Sequence, residues 1–223
     1  MGILSLERIA QILARVLVLL TAIPVHESAH GLVSLWLGDP TAKNAGRITL
    51  NPFRHFDLMG TLCLILGGIG WAKPVPINPN YYRNRKAGMA LSALAGPVSN
   101  FIMATLSLIL LKVIFVMLGF FPMLRLGDTI LQFIFLVLYT MVITNVVLCI
   151  FNMLPVPPFD GSRIYLIFLP EKWYFGIMKY ERIIMIAVFL ILFAGILDRP
   201  LGIAYQSVIV FLDRATGFLG TLY

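Results

Sequence analysis

The sequence is poor in charged residues and in cysteine. Asp, Glu, Lys and Arg make up 12% of its 223 residues, hydrophobic residues make up 60%, and the mean hydropathy is +0.93. A soluble domain carries about 25% charged residues, so this composition argues against one and predicts an integral membrane protein. The two cysteines, Cys63 and Cys149, both lie in apolar surroundings. We therefore expect reduced thiols and neither a disulfide nor a cysteine metal site.

Long apolar runs define the predicted fold, an all-α polytopic membrane protein formed by residues 1–223 as a single domain. It should have about four transmembrane helices and a re-entrant or β-hairpin segment between the first and second. The predicted spans are about 9–37, 87–118, 129–152 and 183–212, and the re-entrant segment is about 46–77. A short strand and turn is predicted over 45–52, and the apolar piece 61–70 is too short to span the membrane. Asp198-Arg199-Pro200 interrupts the fourth run, and the sequence leaves open whether 201–212 continues that span or lies at the interface.

The basic residues give the expected orientation. The net charge is +7, but Lys and Arg flank the apolar runs instead of lining one polar face, which argues against a nucleic-acid partner. Residues 38–86 hold seven of them and residues 162–182 hold four, against Arg125 alone in the loop between the second and third spans. The positive-inside rule predicts that both basic stretches face the cytoplasm. Lys112, inside the second span, is expected to extend its ammonium group toward the membrane surface.

A His-Glu-x-x-His motif lies within the first apolar run. His26 and His30 are four residues apart, so on a helix both imidazoles share one face and can reach one zinc ion. Glu27 lies beside that face, where it can act as a general base. Ala22, His26, His30 and Ser34 form a small and polar stripe that should face other helices. Ionisable groups at membrane depth are costly, which favours a functional metal site over a buried structural histidine.

A catalytic zinc takes three protein ligands, so one more is required. The best candidate is Asp160, which follows a proline-rich, non-helical segment at the same predicted cytoplasmic end as the histidines. The alternative is an interfacial Asp that caps the helix starting near Ser162. Asn152, just before that segment, is a candidate donor to a developing oxyanion.

Two segments carry a resemblance to a known family. Val25 to Gly31, with its His-Glu-x-x-His, and Asn152 to Gly161, with its Asn-x-x-Pro-x-x-Pro-x-Asp-Gly order, resemble the motifs of the site-2 proteases. These are the intramembrane zinc metalloproteases of peptidase family M50, and the likeness is to a minimal prokaryotic member without PDZ or CBS domain. The resemblance implies zinc ligation by His26, His30 and Asp160, a base role for Glu27 and an assisting role for Asn152.

The expected function is therefore hydrolysis of peptide bonds in transmembrane segments of other membrane proteins, a reaction known as regulated intramembrane proteolysis. The expected partners are a transmembrane protein substrate and the lipid bilayer. The expected location is the cell membrane, with the active site toward the cytoplasm. Two alternatives stay open, a polytopic membrane transporter and a metal-binding protein that binds clients without cleaving them. The sequence does not indicate an oligomeric state or a particular substrate.

Overall fold

The computed structural model describes residues 6–57, 72–120 and 128–220. All regular elements within these ranges are helical, which confirms the all-α prediction. The α-helices are α1 (Leu6–Trp36), α2 (Thr41–Asn44), α3 (Arg85–Phe120), α4 (Asp128–Asn152), α5 (Asp160–Tyr165), α6 (Glu171–Lys179), α7 (Glu181–Phe193) and α8 (Asp198–Ala215). Short 3-10 turns lie at Pro52–Arg54, Pro79–Tyr81, Leu166–Phe168 and Gly217–Leu219.

Three of these helices, α1, α3 and α4, are long and apolar enough to cross a membrane. They coincide within a few residues with the first three predicted spans. The predicted fourth span is represented by α7 and α8, which are bent by 85° at the break between them. The protein is therefore a multi-pass membrane protein, and its described residues contain three spans, or four if the bent pair is counted as one.

Helix α3 lies at the centre of the bundle and packs against α1, α4 and α5. Where α3 meets α4 and α8, buried aliphatic side chains form a core made of Ala104, Leu108, Val142, Val146, Ile209 and Leu212. On α1, every fourth residue from Ala14 to Ser34 is buried. This stripe includes both motif histidines and confirms that the small and polar face of α1 turns toward the other helices.

The connection from α2 to α3 differs from its prediction. We expected residues 45–52 to form a strand and turn, but the described part of this connection contains no strand. The N–H of Thr49 donates to the Ser28 hydroxyl on α1 (3.1 Å) and its carbonyl accepts from the same hydroxyl (2.7 Å), so a side chain takes the place of a strand partner. One isolated antiparallel bridge joins Phe56 to Ala72. The predicted re-entrant apolar piece, 61–70, and Cys63 lie outside the described residues.

The prediction for Lys112 is wrong. Its side chain is 1% exposed, and its ammonium nitrogen lies 2.7 Å from a carboxylate oxygen of Asp213 in α8. The same nitrogen donates to the Asp213 carbonyl at 3.1 Å. An ammonium at membrane depth needs either water or a paired anion, and here α8 supplies the anion. The ion pair therefore fixes the last turn of α8 against α3.

Candidate metal centre

The two motif histidines face each other across one turn of α1. Their side chains are buried, and the two Nε2 atoms are 3.0 Å apart. Four-residue spacing on a helix places side chains one above the other, so the helix itself produces this approach. The sequence predicted the shared face, and the structure has both imidazoles on it.

Asp160 reaches the same point from the first residue of α5. Its Oδ2 atom lies 3.2 Å from Nε2 of His26 and 3.2 Å from Nε2 of His30. The glycine at position 161 allows the start of α5 to pack directly against the backbone of Met153 and Leu154. A Cβ at Gly161 would lie 2.5 Å from the Leu154 carbonyl oxygen and from the Met153 backbone. The structure therefore brings together the three side chains that the sequence offered as ligands, and each contributes one atom to a common centre.

The other ring nitrogens show which atoms carry hydrogen. Nδ1 of His30 lies 2.8 Å from the backbone carbonyl oxygen of Ser92, which can only accept. Nδ1 of His26 lies 2.5 Å from the side-chain oxygen of Asn100. Both Nδ1 atoms are therefore donors, and in neutral imidazoles both Nε2 atoms carry a lone pair toward the centre. Such an outer carbonyl partner is typical of metal-ligating histidines.

The centre fits a zinc ion. The Asp160 Oδ2 atom is buried and has no hydrogen-bond donor among the described residues. Three lone pairs would thus meet without a positive charge between them. Zinc bonds of about 2.0–2.1 Å in tetrahedral geometry separate neighbouring ligands by about 3.3 Å, and the observed separations are 3.0, 3.2 and 3.2 Å.

Helix α3 closes the centre from the side. A Cβ on Gly96 would lie 2.4 Å from Cε1 of His30 and 2.5 Å from Cε1 of His26. Both imidazoles thus rest directly against the backbone of α3. Sequence reasoning did not identify Gly96 or the Ser92 carbonyl as parts of the site. The sequence signal at this position is the run Leu94-Ala95-Gly96-Pro97-Val98-Ser99-Asn100, whose small residues permit a close approach of helices.

Glu27 lies between the metal ligands and the connection that precedes α3. Its Oε2 atom accepts a hydrogen bond from the backbone N–H of Val75 at 3.0 Å. The side chain is half-buried, and its other oxygen has no partner in the part of the chain that the structure describes. Val75 is the buried residue of a short proline-flanked segment, and no sequence pattern indicated this contact. One oxygen of Glu27 is thus fixed by the backbone of the segment that precedes α3.

Asn152 is not joined to the centre by any hydrogen bond among the described residues. It is the last residue of α4, and its side chain is half-buried. His55 is fully buried, and its Nε2 lies 2.8 Å from the Thr49 carbonyl oxygen. The contact made by His55 therefore orders the loop that precedes α3.

Comparison with known proteins identifies one relative by sequence. The chain is 40% identical over 149 residues to a Bacillus subtilis (strain 168) protein named "Putative zinc metalloprotease YwhC", and the matched stretch covers 67% of this chain and just under two thirds (66%) of that relative. The two proteins are homologues. The homologue's name supports a zinc metalloprotease family for this chain and makes Zn²⁺ the ion that the His-His-Asp centre implies. No family model matches the sequence, and no solved structure matches it.

Proposed function

We propose that the protein is an intramembrane zinc endopeptidase of the site-2 protease type. The observation that supports this most directly is the meeting of His26, His30 and Asp160 at one point on a helix that is apolar enough to span a membrane. A zinc site on a membrane-spanning helix is suited to substrates that are themselves in the membrane. The homology to a protein named as a zinc metalloprotease supports the same chemistry.

In this proposal His26, His30 and Asp160 would hold the zinc ion. When bound, zinc would supply a water with a pKa lowered toward about 7 and would polarise the scissile carbonyl. Glu27 accepts a proton from the attacking water and passes it to the leaving amine. The Val75 N–H holds the carboxylate in place while it does so. Asn152 is proposed to assist by donating a hydrogen bond at the developing oxyanion.

The proposed substrate is a transmembrane segment of another membrane protein. Peptide bonds inside a helix are shielded by their own hydrogen bonds, so the segment must unwind before the water can attack it. We place the protein in the cell membrane with the metal centre near the cytoplasmic side, on the basis of the Lys and Arg distribution. On the same basis we propose no nucleic-acid partner.

The test is a cleavage assay with purified protein, zinc and a single-span substrate in detergent or liposomes. Glu27→Gln keeps the size of the side chain but removes the base, so cleavage should fall by about 10²- to 10⁴-fold. Zinc content should stay at the wild-type level, because Glu27 is not a ligand. Glu7→Gln is the matched control, since it makes the same change at an exposed position on the same helix, and it should cleave like the wild type.

The outcomes separate the proposal from its alternatives. A transporter would show flux that survives Glu27→Gln and would form no cleaved product. A client-binding protein without activity would bind zinc and substrate, but neither the wild type nor either variant would cleave the substrate. Cleavage that is equal in the wild type and in Glu27→Gln would refute the role of Glu27.

A further inference from the structure

Two buried asparagines connect the metal centre to α4. Asn100 on α3 and Asn145 on α4 are both 0% exposed. The side-chain amide nitrogen of Asn100 donates to the side-chain oxygen of Asn145 at 2.8 Å, and the amide nitrogen of Asn145 donates to the backbone carbonyl of Met141 at 2.9 Å. Together with the contact between Asn100 and Nδ1 of His26, these bonds form a continuous chain of three links.

The backbone carbonyl at the far end fixes the direction of every link. The Met141 oxygen can only accept, so it must face the amide nitrogen of Asn145. That leaves the Asn145 oxygen facing Asn100, where it accepts from the amide nitrogen. The oxygen of Asn100 is then turned to His26, and Nδ1 of His26 must donate. An Nδ1–H imidazole has a bare Nε2, which is the atom that points to Asp160 and His30.

We propose that Asn145 is a positioning residue that acts through Asn100 to hold His26 in its metal-binding tautomer. Among the described residues, the hydrogen bonds of the Asn145 side chain go to Asn100 and Met141 and not to a zinc ligand. The contribution of Asn145 is to prevent the Asn100 amide from turning over. A turned amide would present its NH₂ group to Nδ1 and favour hydrogen on Nε2, where it would block the metal.

The two histidines differ in a way that explains why only one of them needs such a chain. Nδ1 of His30 meets the Ser92 carbonyl of the α3 backbone, which cannot turn over. Nδ1 of His26 meets a side-chain amide whose two ends are nearly equal in shape. His26 is thus the ligand whose tautomer depends on a second residue, and Asn145 supplies the missing constraint.

A purely structural role makes a different prediction. An interhelical hydrogen bond between Asn100 and Asn145 would help to hold α3 and α4 together. Its loss would lower thermal stability and leave the tautomer of His26 and the zinc affinity unchanged. The two interpretations are therefore separated by measurements on the histidine ring and on zinc, both independent of proteolysis.

The experiment compares Asn145→Leu, Asn145→Asp and Val146→Ala in the full chain. Asn145→Leu removes the hydrogen bonds of this side chain to Asn100 and to the Met141 carbonyl. The neutral form of Asp has an acceptor and a donor like those of Asn, so Asn145→Asp should preserve both hydrogen bonds. Val146 is a buried neighbour in the apolar core, so its truncation lowers stability without touching the chain of amides. The readouts are the zinc dissociation constant from chelator competition and ¹⁵N chemical shifts of the histidine rings in the zinc-free protein.

We expect Asn145→Leu to bind zinc about 10- to 100-fold more weakly, the usual effect of removing an outer partner of a metal ligand. The ring signals of His26 should shift from Nδ1–H toward Nε2–H. Asn145→Asp and Val146→Ala should keep the wild-type affinity and tautomer.

The proposal is overturned if wild-type His26 carries its hydrogen on Nε2. It is also overturned if Asn145→Leu binds zinc like the wild type, or if Val146→Ala weakens zinc binding as much as Asn145→Leu does. The inference rests on the metal site of the proposed function, but not on its protease activity. A protein that binds zinc as predicted and cleaves nothing would contradict the proposed function and leave the role of Asn145 standing.

Discussion

Gly96→Ala tests whether the imidazoles rest against α3 as closely as the structure indicates. The added Cβ would lie 2.4–2.5 Å from ring atoms of both His26 and His30, whereas ordinary contact begins at 3.4 Å. Relieving the contact requires a displacement of about 0.9–1.0 Å, the difference between these distances. A metal site tolerates ligand displacements of about 0.2 Å, so the rings cannot both move this far and still share a zinc ion.

The substitution should therefore affect zinc much more than the fold. Overpacking of this kind costs about 1–3 kcal/mol, and the better helix propensity of Ala offsets about 1 kcal/mol of that. Zinc affinity should fall by about 100-fold or more, since even an outer-partner change costs about 10- to 100-fold. Cleavage of a model substrate should be lost together with zinc.

The assay is chelator competition for zinc, paired with thermal unfolding of the zinc-free protein. Gly119→Ala is the matched control, because it makes the same change on the same helix with nothing within 4 Å of the new Cβ. It should bind zinc normally and unfold at the same or a slightly higher temperature. Wild-type zinc affinity in Gly96→Ala would show that the imidazoles are not in contact with α3, and the site geometry would be wrong.

Two further predictions concern the fold around the site. Lys112→Met breaks the buried ion pair with Asp213 and should lower the free energy of unfolding by about 3–5 kcal/mol. Removing the charge at both positions should recover most of this loss, as measured by unfolding in detergent. Burial opposes ionisation of Asp39, but hydrogen bonds from Thr41, Asn78 and Ser34 outweigh it and hold the pKa of Asp39 below its usual value. This carboxylate therefore stabilises the fold above its unfolded pKa of about 3.9 and loses that effect as pH falls through the lower folded pKa. Unfolding midpoints across that range should show a smaller pH dependence for Asp39→Asn than for the wild type.

Local sequence patterns were enough to predict the helices and the shared face of the two histidines. The length of the apolar runs alone locates α1, α3 and α4. The four-residue spacing on α1 brings the Nε2 atoms of His26 and His30 to 3.0 Å from each other. Asp160 was a candidate because it follows a proline-rich, non-helical segment at the same predicted cytoplasmic end as the histidines. These features depend on residues close together in sequence, or on a position relative to the membrane that charge and hydropathy reveal.

The rest depends on packing between distant residues. Nδ1 of His30 contacts the Ser92 carbonyl 62 positions away, and Val75 meets Glu27 across 48 positions. Lys112 and Asp213 have no distinguishing pattern in the sequence, and only the fold of α8 against α3 makes them a pair. The predicted strand over residues 45–52 failed for a similar reason. The Ser28 hydroxyl makes hydrogen bonds with the backbone N–H and carbonyl of Thr49. No local sequence pattern indicates that a serine in the motif helix would replace a neighbouring strand in this way.

Every proposal above depends on one zinc ion being bound by His26, His30 and Asp160 together. Zinc stoichiometry of the purified protein, combined with X-ray absorption at the zinc edge, measures this binding without reference to any substrate. We expect one zinc per chain with two imidazole nitrogens and carboxylate oxygen among its ligands, and no tightly bound zinc when all three residues are replaced by Ala. Wild-type zinc content in that triple variant, or a zinc ion without imidazole ligands, would contradict the site.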